Sequence, residues 1–181
     1  MATKLDSGRR VFANLKYLYF TPWDNESTVG KTTYDLVNIV ADSTSVEQAD
    51  NDINTLDHEF SGTPLYENVN LGEKTFTTEC IDFQDTVLQE LFGWEVKEGI
   101  AYAPTAYADL YCQIEIGFNS TEDKIVLPKV KLNSRAVIAS MKTDASRGNI
   151  TGTCYTAYVN GVETDMAVVT GDTSYAVAAT A

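Results

Sequence analysis

The segment ADLYCQIEIGF, residues 108–118, alternates apolar and polar side chains. Every second residue from Leu110 to Phe118 is apolar, while Tyr111, Gln113 and Glu115 occupy the positions between them. A period of two is typical of a β-strand that buries one face. Strand-like runs recur as VFANLKYLYF, EKTFTTECIDF, KIVLPKVKL and GNITGTCY. A chain with this pattern is predicted to be mainly β.

One segment, DFQDTVLQELFG at residues 82–93, has helical spacing instead. Asp82 is expected to cap the helix, Asp85 to favour the dipole of its first turn, and Gly93 to end it. The face predicted to be buried consists of Phe83, Val87, Leu88 and Leu91.

Weaker patterns complete the prediction. TTYDLVNIVADS reads as a second strand, buried on both faces or irregular, and TPWDNESTVGK reads as a loop. Pro128 should lie at an edge or bulge, and Asn160-Gly161 should turn a hairpin. Together they predict a β-sandwich or partial barrel with one flanking α-helix and a long extended loop.

The 181 residues are expected to form a single domain. Residues 1–10 should be a flexible N-terminal arm, and they carry no apolar segment that would indicate a secretory signal. Residues 42–73 should be a long acidic loop or hairpin, which is unusual in a compact domain unless it has a function. Residues 160–181 are weakly patterned, and no role is predicted for this C-terminal extension.

The charges are segregated along a chain whose net charge is −13. Between Lys31 and Lys74 there are nine acidic residues and no Lys or Arg, whereas the interval from Lys124 to Arg147 holds six basic residues and one acid. The two regions either lie side by side within one chain or meet between copies, and we favour the second explanation. The candidate inter-subunit residues are Asp50, Asp52, Asp57, Glu59, Lys129, Lys131 and Arg135.

The inventory of reactive residues argues against an enzyme. His58 is the single histidine, and no nucleophile motif accompanies it. The sequence NESTVGKT lacks the first glycine of a phosphate-binding loop, and the acidic run lacks EF-hand spacing. Cys80, Cys112 and Cys154 lie in strand-like runs and should be buried free thiols, which suits a cytoplasmic folding environment. We therefore expect no catalysis, cofactor, bound metal or membrane span, and the acidity disfavours a groove-reading nucleic-acid binder.

The order of segments resembles that of the tail tube proteins, or major tail proteins, of long-tailed bacteriophages. The resemblance covers about residues 11–160. It rests on the run LKYLYF, on TTYDLVNIVADSTSVEQA, on GEKTFTTECIDFQDTVLQELFGW, and on YADLYCQIEIGF, KIVLPKVKL and GNITGTCY. It is a pattern of elements rather than of signature residues.

The resemblance implies a structural virion protein of the tail, assembled in the host cytoplasm. Such subunits form stacked, commonly hexameric rings whose inner sheets surround a lumen for DNA ejection, and a long loop bridges neighbouring rings. The implied partners are further copies, tape measure and terminator proteins, and DNA in transient passage. The candidate lumen residues, opposite the apolar strand faces, are Thr77, Glu79, Gln113 and Glu115.

Two alternatives remain open. The chain is similar in the same way to the inner tube of a contractile tail, a bacteriocin or a secretion system, and a sheath partner would distinguish these. A non-catalytic β-sandwich binding module would instead expose clustered aromatic residues, and the candidates for that cluster are Trp23, Trp94, Tyr102 and Tyr107.

Overall fold

The fold is known from a computed structural model that describes residues 12–57, 64–81, 83–106, 109–137 and 146–180. Within these ranges the chain forms short and long β-strands and one helix, α1 (Asp85–Phe92). The strands in chain order are β1 (Leu15–Asn25), β2 (Thr28–Val29), β3 (Tyr34–Asp35), β4 (Ser45–Gln48), β5 (Asp52–Asp57), β6 (Pro64–Asn70), β7 (Lys74–Cys80), β8 (Glu95–Lys97), β9 (Ile100–Tyr102), β10 (Leu110–Phe118), β11 (Lys124–Leu132), β12 (Arg135–Val137), β13 (Arg147–Tyr155), β14 (Ala157–Val159), β15 (Val162–Thr164), β16 (Ala167–Val169) and β17 (Val177–Ala178).

Ten of the strands form one antiparallel sheet. Its main path runs β2-β1-β10-β11-β13-β7-β4, with β3 paired to β1, β12 to β13 and β16 to β11. Three smaller sheets join β5 to β6, β8 to β9, and β14 to both β15 and β17. The predicted mainly β fold with one flanking helix is confirmed.

The core lies on one face of the main sheet, because its long strands alternate as predicted. Cys112, Ile114 and Ile116 of β10 are all buried, and Phe20 of β1 meets Phe76 of β7 edge to face with ring centroids 6.1 Å apart. Alternate residues of β13 and β7 are buried on the same face. The apolar faces of these strands therefore form one continuous core.

Helix α1 covers part of this core. Leu88 and Leu91 are buried as predicted, and Phe92 is buried although its position was not singled out. Phe83, which precedes the helix, and Val87 are only partly buried. Gly93 ends the helix in the left-handed conformation, with φ of 67°.

The predicted start of the helix needs correction. The N-cap position belongs to Gln84, whose side chain makes no capping hydrogen bond, and Asp82 lies outside the described residues. The helix begins at Asp85, and its carboxylate remains in the first turn, where the dipole favours a negative charge.

Both predicted boundaries of the first strand are wrong. It begins at Leu15 rather than at residue 11, and it continues through Pro22 to Asn25. Most of the predicted loop at residues 21–31 is therefore strand, in β1 and β2, and Trp23 is buried. Pro22 is tolerated because β3 pairs with Tyr19 and Phe20, and β2 pairs only from Trp23 onward.

The predicted strand at residues 32–43 reduces to the two residues of β3 and one isolated bridge between Ile39 and Cys80. Leu36 is buried while Val37 is 66% exposed. Because apolar side chains stand on both parities of this segment, neither register buries all of them.

The basic segment that follows β10, residues 124–137, is longer than a single strand, and we call it the ribbon. Strand β12 continues the ladder of β11 along β13, since Leu132 pairs with Gly152 and Arg135 pairs with Asn149 in an unbroken register. Pro128 lies at a bulge, where the partners of Cys112 and Ile114 are Val130 and Leu127. The predicted bulge is confirmed, within a strand that has neighbours on both sides.

Short hairpins complete the fold. Asn160 and Gly161 have φ of 51° and 79° and turn β14 into β15, as predicted. A second such turn, at Glu98 and Gly99 between β8 and β9, has φ of 51° and 77° and was not predicted.

Candidate functional site

The acidic segment is a β-hairpin that leaves the main sheet at its edge. Strand β4 pairs with β7 at Ser45–Thr77, and β5 pairs with β6 at Asp52–Asn70 in the same register. Between the two ladders, the N–H of Ala49 donates to the carbonyl of Glu73 at 2.9 Å. The sheet edge and the hairpin are therefore one ladder, and we call residues 49–73 the acidic arm.

The arm is mostly exposed at its base, residues 49–52 and 69–73, where burial is described. Its 25 residues include six acids and no Lys or Arg. Within the described residues, β5 and β6 pair only with each other, and Val69 and Leu71 are 47% and 76% exposed. At about 3.3 Å per residue, the stretch from Ala49 to Asp57 spans roughly 30 Å. The arm thus presents unpaired strand edges and apolar side chains to its surroundings.

The four acidic candidates of the arm differ in how much of each the structure describes. Asp50 and Asp52 are exposed near its base. Asp57 ends β5, and only its backbone is described, while Glu59 lies outside the described residues. Their predicted contact with another copy stays a prediction.

Two of the predicted inter-subunit cations have contacts inside the chain. The ammonium of Lys129 lies 5.0 Å from the ring centre of Trp23 and 4.8 Å from that of Tyr111, and it donates to the carbonyl of Glu26 at 2.7 Å. The ammonium of Lys131 lies 2.7 Å from the Asp109 carboxylate. None of these partner residues belongs to the acidic arm.

Arg135 differs from these lysines. Its side chain is exposed on β12, and no salt bridge among the described residues includes it. It lines a polar depression of about 320 Å³ on the face of the sheet opposite the core. The other residues that line this depression are Thr77, Glu79, Asn133, Asn149 and Thr151.

Two of the candidate lumen residues, Thr77 and Glu79, therefore lie on the face of the main sheet opposite the core. Thr77 pairs with Thr151 and Glu79 pairs with Asn149 across the β7–β13 ladder. The carboxylate of Glu79 accepts a hydrogen bond from the Arg147 guanidinium at 3.2 Å. We call this surface the open face.

The other two candidates, Gln113 and Glu115, lie on the same side of the sheet but under the C-terminal segment. The Tyr175 hydroxyl donates to the Glu115 carboxylate, and the Gln113 side chain donates to the Tyr175 oxygen at 3.0 Å. Tyr17 donates to the other oxygen of Glu115 at 2.8 Å, and the Lys124 ammonium lies 3.3 Å from it. The side chain of Glu115 is only 13% exposed.

This network changes the chemistry of its phenols. Burial, and then the hydrogen-bonded carboxylate of Glu115, raises the pKa of Tyr17 and of Tyr175 above the ordinary value. Both phenols therefore stay neutral donors at physiological pH. Sequence reasoning missed Tyr175 because the tail around it, GDTSYAVAATA, has neither period two nor helical spacing.

The aromatic residues proposed for a binding module do not form one exposed cluster. Trp23 is buried, Trp94 packs partly buried against the core, and Tyr102 is half exposed on β9. Tyr107 lies outside the described residues, as does His58.

The three cysteines are free and buried, as predicted. Burial, with the nearby Asp165 carboxylate, raises the pKa of Cys154 to about 11, and burial also raises the pKa of Cys112. Among the residues that the structure describes, no group of three His, Cys, Asp or Glu could hold a metal ion. In the same part of the chain, no helix has the length and apolarity needed to cross a membrane.

The comparisons with known proteins found likenesses among solved structures only. No protein-family profile and no curated protein sequence matches the chain. The chain is similar to a chain in a cryo-EM structure of the anti-feeding prophage (AFP) baseplate, 6-fold symmetrised, with a TM-score of 0.47 and 9% sequence identity. The alignment covers 92% of this chain and 99% of that chain. At these values the likeness assigns no function.

Proposed function

We propose that this chain is a non-catalytic structural subunit of a phage-type tail tube. Copies would join through their sheet edges into stacked rings, with six subunits in each ring, and the lumen would conduct DNA during ejection. Other tail proteins, such as tape measure and terminator proteins, would be its partners in the virion. The observation that supports this proposal best is the acidic arm. Its ladder continues the ladder of β4 and β7 beyond the main sheet.

The edges of the arm favour pairing with another copy. An isolated two-stranded hairpin is marginally stable in water, and an uncovered strand edge is a template for pairing with another chain. Within the described residues, the arm packs no further strand against either edge. A neighbouring copy would supply the missing contacts, so assembly and stability of the arm are coupled.

The acidic balance suits a DNA conduit. A net charge of −13 repels phosphate, so DNA would slide along the wall of the lumen rather than adhere to it. The open face, with Thr77 and Glu79, is the surface that we assign to the lumen. Two cations lie on that face: the charge of Arg147 is compensated by Glu79, and Arg135 is the cation that we pair with the arm of a neighbouring copy.

Arg135 is the residue that best tests contact between the ribbon and the arm. Reversal of Lys129 or Lys131 would also break contacts with Trp23, Tyr111 or Asp109 inside the subunit. Arg135 is exposed and has no ion pair among the described residues, so its substitution should leave the fold intact.

The experiment compares Arg135→Glu with Lys31→Glu, which changes the charge equally at another exposed position. Sedimentation velocity at about 0.15 M salt measures the protein concentration at which polymer forms, and thermal unfolding checks the fold. We expect Arg135→Glu to raise that concentration roughly 3- to 10-fold and Asp50→Lys to restore part of the loss. Equal behaviour of Arg135→Glu, Lys31→Glu and the wild type would refute pairing of Arg135 with the arm.

A further inference from the structure

The two sides of the β4–β7 ladder exchange polarity where the acidic arm begins. In the main sheet, the cross-strand pair of Val46 and Phe76 lies on the side that packs against the core. Because the register continues into the arm, the pair of Asp52 and Asn70 lies on that same side of the ladder. The core side of the ladder is therefore apolar in the sheet and polar in the arm.

The opposite side of the arm is apolar at its base. It holds Val69 with its cross-strand partner Ile53, and also Leu71, one step closer to the sheet. Val69 and Leu71 are both exposed. Within the sheet, the same side of the ladder carries the polar pair of Glu47 and Thr75. We call Ile53, Val69 and Leu71 the apolar side of the arm.

A groove of about 890 Å³ lies on the core side of the main sheet. Five of the apolar residues that line it pack against the core yet remain only partly buried, and they are Leu15, Ile39, Val46, Phe118 and Ile125. Val37 lines the same groove and is 66% exposed. The groove is therefore a part of the core surface that the described chain leaves open.

The groove is bordered by two strands with unpaired edges. Residues 15–17 of β1 line it from one direction, and Ser45 and Val46 of β4 line it from the other. Among the described strands, β4 pairs only with β7, and the outer side of β1 is paired only from Tyr19 onward. No described strand fills the gap, so the apolar lining stays uncovered.

We propose that the apolar side of the arm of one copy packs into this groove of a second copy. The inference rests on the proposed function and adds the surface that receives the arm. Both surfaces are apolar and open in the free chain, and their mutual burial is favourable. The groove is on the core side, which faces outward if the open face lines the lumen.

The orientation of the arm agrees with this contact. The apolar side of the arm belongs to the lumen side of its own ladder, so it meets the outward-facing groove of a neighbouring copy. Asp50 and Asp52 lie on the opposite side of the arm by the same register. The contact is therefore independent of the pairing proposed above for Arg135.

The size of the contact fits a polymer rather than a dimer. A two-stranded face about 10 Å wide and roughly 30 Å long covers about 300 Å². One arm in one groove then buries about 600 Å² in total, roughly half of what a stable, specific interface needs. A copy that uses both its arm and its groove takes part in two such contacts, which favours a head-to-tail array over an isolated pair.

The experiment compares two valines that are equally exposed. Val37 and Val162 are each 66% exposed, but only Val37 lines the groove, so Val162→Asn is the matched control for Val37→Asn. Leu71→Asn changes the arm. Sedimentation velocity measures the protein concentration at which polymer forms. We expect Val37→Asn and Leu71→Asn each to raise it roughly 5- to 20-fold, because each buries an amide without a partner, and Val162→Asn to change it less than about 2-fold.

Thermal unfolding of the monomer checks that the fold is unchanged, as expected for substitutions at exposed positions. The double variant Val37→Asn with Leu71→Asn then tests whether both side chains belong to one contact. In a shared contact the second substitution removes little that the first has left, so the double variant should resemble the stronger single variant. An effect equal to the product of the two single effects would assign the side chains to separate contacts and overturn the inference.

Failure of this inference differs from failure of the proposed function. If the wild type forms polymer and Val37→Asn behaves like Val162→Asn, the groove does not receive the arm, and the tube proposal stands. Absence of polymer from the wild type at every concentration overturns both.

Discussion

The central strand β10 and the arm strand β5 are both extended, acidic at some positions and of ordinary strand length, yet their environments are opposite. β10 has β1 on one side and β11 on the other, and its alternate side chains are buried. In the part of the chain that the structure describes, β5 has β6 as its only neighbour. The chain itself satisfies the backbone of β10, whereas the outer edge of β5 is satisfied by water or by another molecule.

This difference locates stability and assembly in separate parts of the subunit. Substitutions in the sheet core should unfold the free protein, because they remove apolar contacts that the chain makes with itself. Substitutions in the arm should change the free subunit little and the polymer more. Four experiments test that separation, from the largest expected effect on the free subunit to the smallest.

Phe76→Ala should cause the largest loss of stability. Phe76 is fully buried on β7 and packs edge to face against Phe20. Truncation of such a ring costs about 3–5 kcal/mol of unfolding free energy. Denaturant unfolding of the monomer measures this loss. A cost below about 1 kcal/mol would contradict the assignment of this side chain to the core.

Gly72→Ala tests the junction between arm and sheet. A Cβ at this position would lie 1.8 Å from the carbonyl oxygen of Ala49, so the two strands would have to separate. We expect a cost of about 1–3 kcal/mol, concentrated at the base of the arm. Hydrogen exchange should show faster exchange of the Ala49 amide while the amides of β10 keep their protection. At Gly99, with φ of 77°, a Cβ meets no residue beyond its chain neighbours within 4 Å, so Gly99→Ala adds backbone strain without a clash and should leave exchange of the Ala49 amide unchanged.

Alkaline pH should weaken the Tyr17–Glu115–Tyr175 network. Because both phenols have a raised pKa, the folded state holds their protons more tightly than the unfolded state, where the pKa is about 10. Their contribution to stability is present below about pH 10 and is lost as the pH rises through the folded-state values. Unfolding free energies measured between about pH 9 and 11 should fall less in Tyr175→Phe than in the wild type, by about 1 kcal/mol. Identical pH dependence in the two proteins would argue against this network.

Val69→Ala should have the smallest effect on the monomer. Val69 is 47% exposed on β6, and a substitution at such a position changes stability by about 0.5 kcal/mol or less. The same change should raise the concentration needed for polymerisation if a neighbouring copy covers the arm. A monomer destabilised as strongly as by Phe76→Ala would mean that the arm packs against its own chain.

The sequence predicted the parts of the fold that depend on local pattern. The alternation of β10, the turn at Asn160 and Gly161, the bulge at Pro128 and the end of α1 at Gly93 all follow from the conformational preferences of single residues or from period two. Such signals depend on residues that are close together in the chain, so they can be predicted without the tertiary structure.

Features that depend on contacts between residues far apart in the sequence could not be predicted from local pattern. Trp23 lies in a strand because it packs under Lys129 and donates to the carbonyl of Pro128, more than a hundred residues away. Tyr175 reaches Glu115 from a tail without periodicity. The sequence placed Gln113 and Glu115 on the polar side of β10, but it could not indicate that the C-terminal segment covers them.

Negative-stain electron microscopy of the concentrated, purified chain tests the tube proposal most directly. We expect hollow rings or tubes from the full-length protein and only monomers when residues 50–72 are replaced by a two-residue turn. A full-length chain that remains monomeric at every concentration, with arm amides as protected from hydrogen exchange as those of β10, would contradict it.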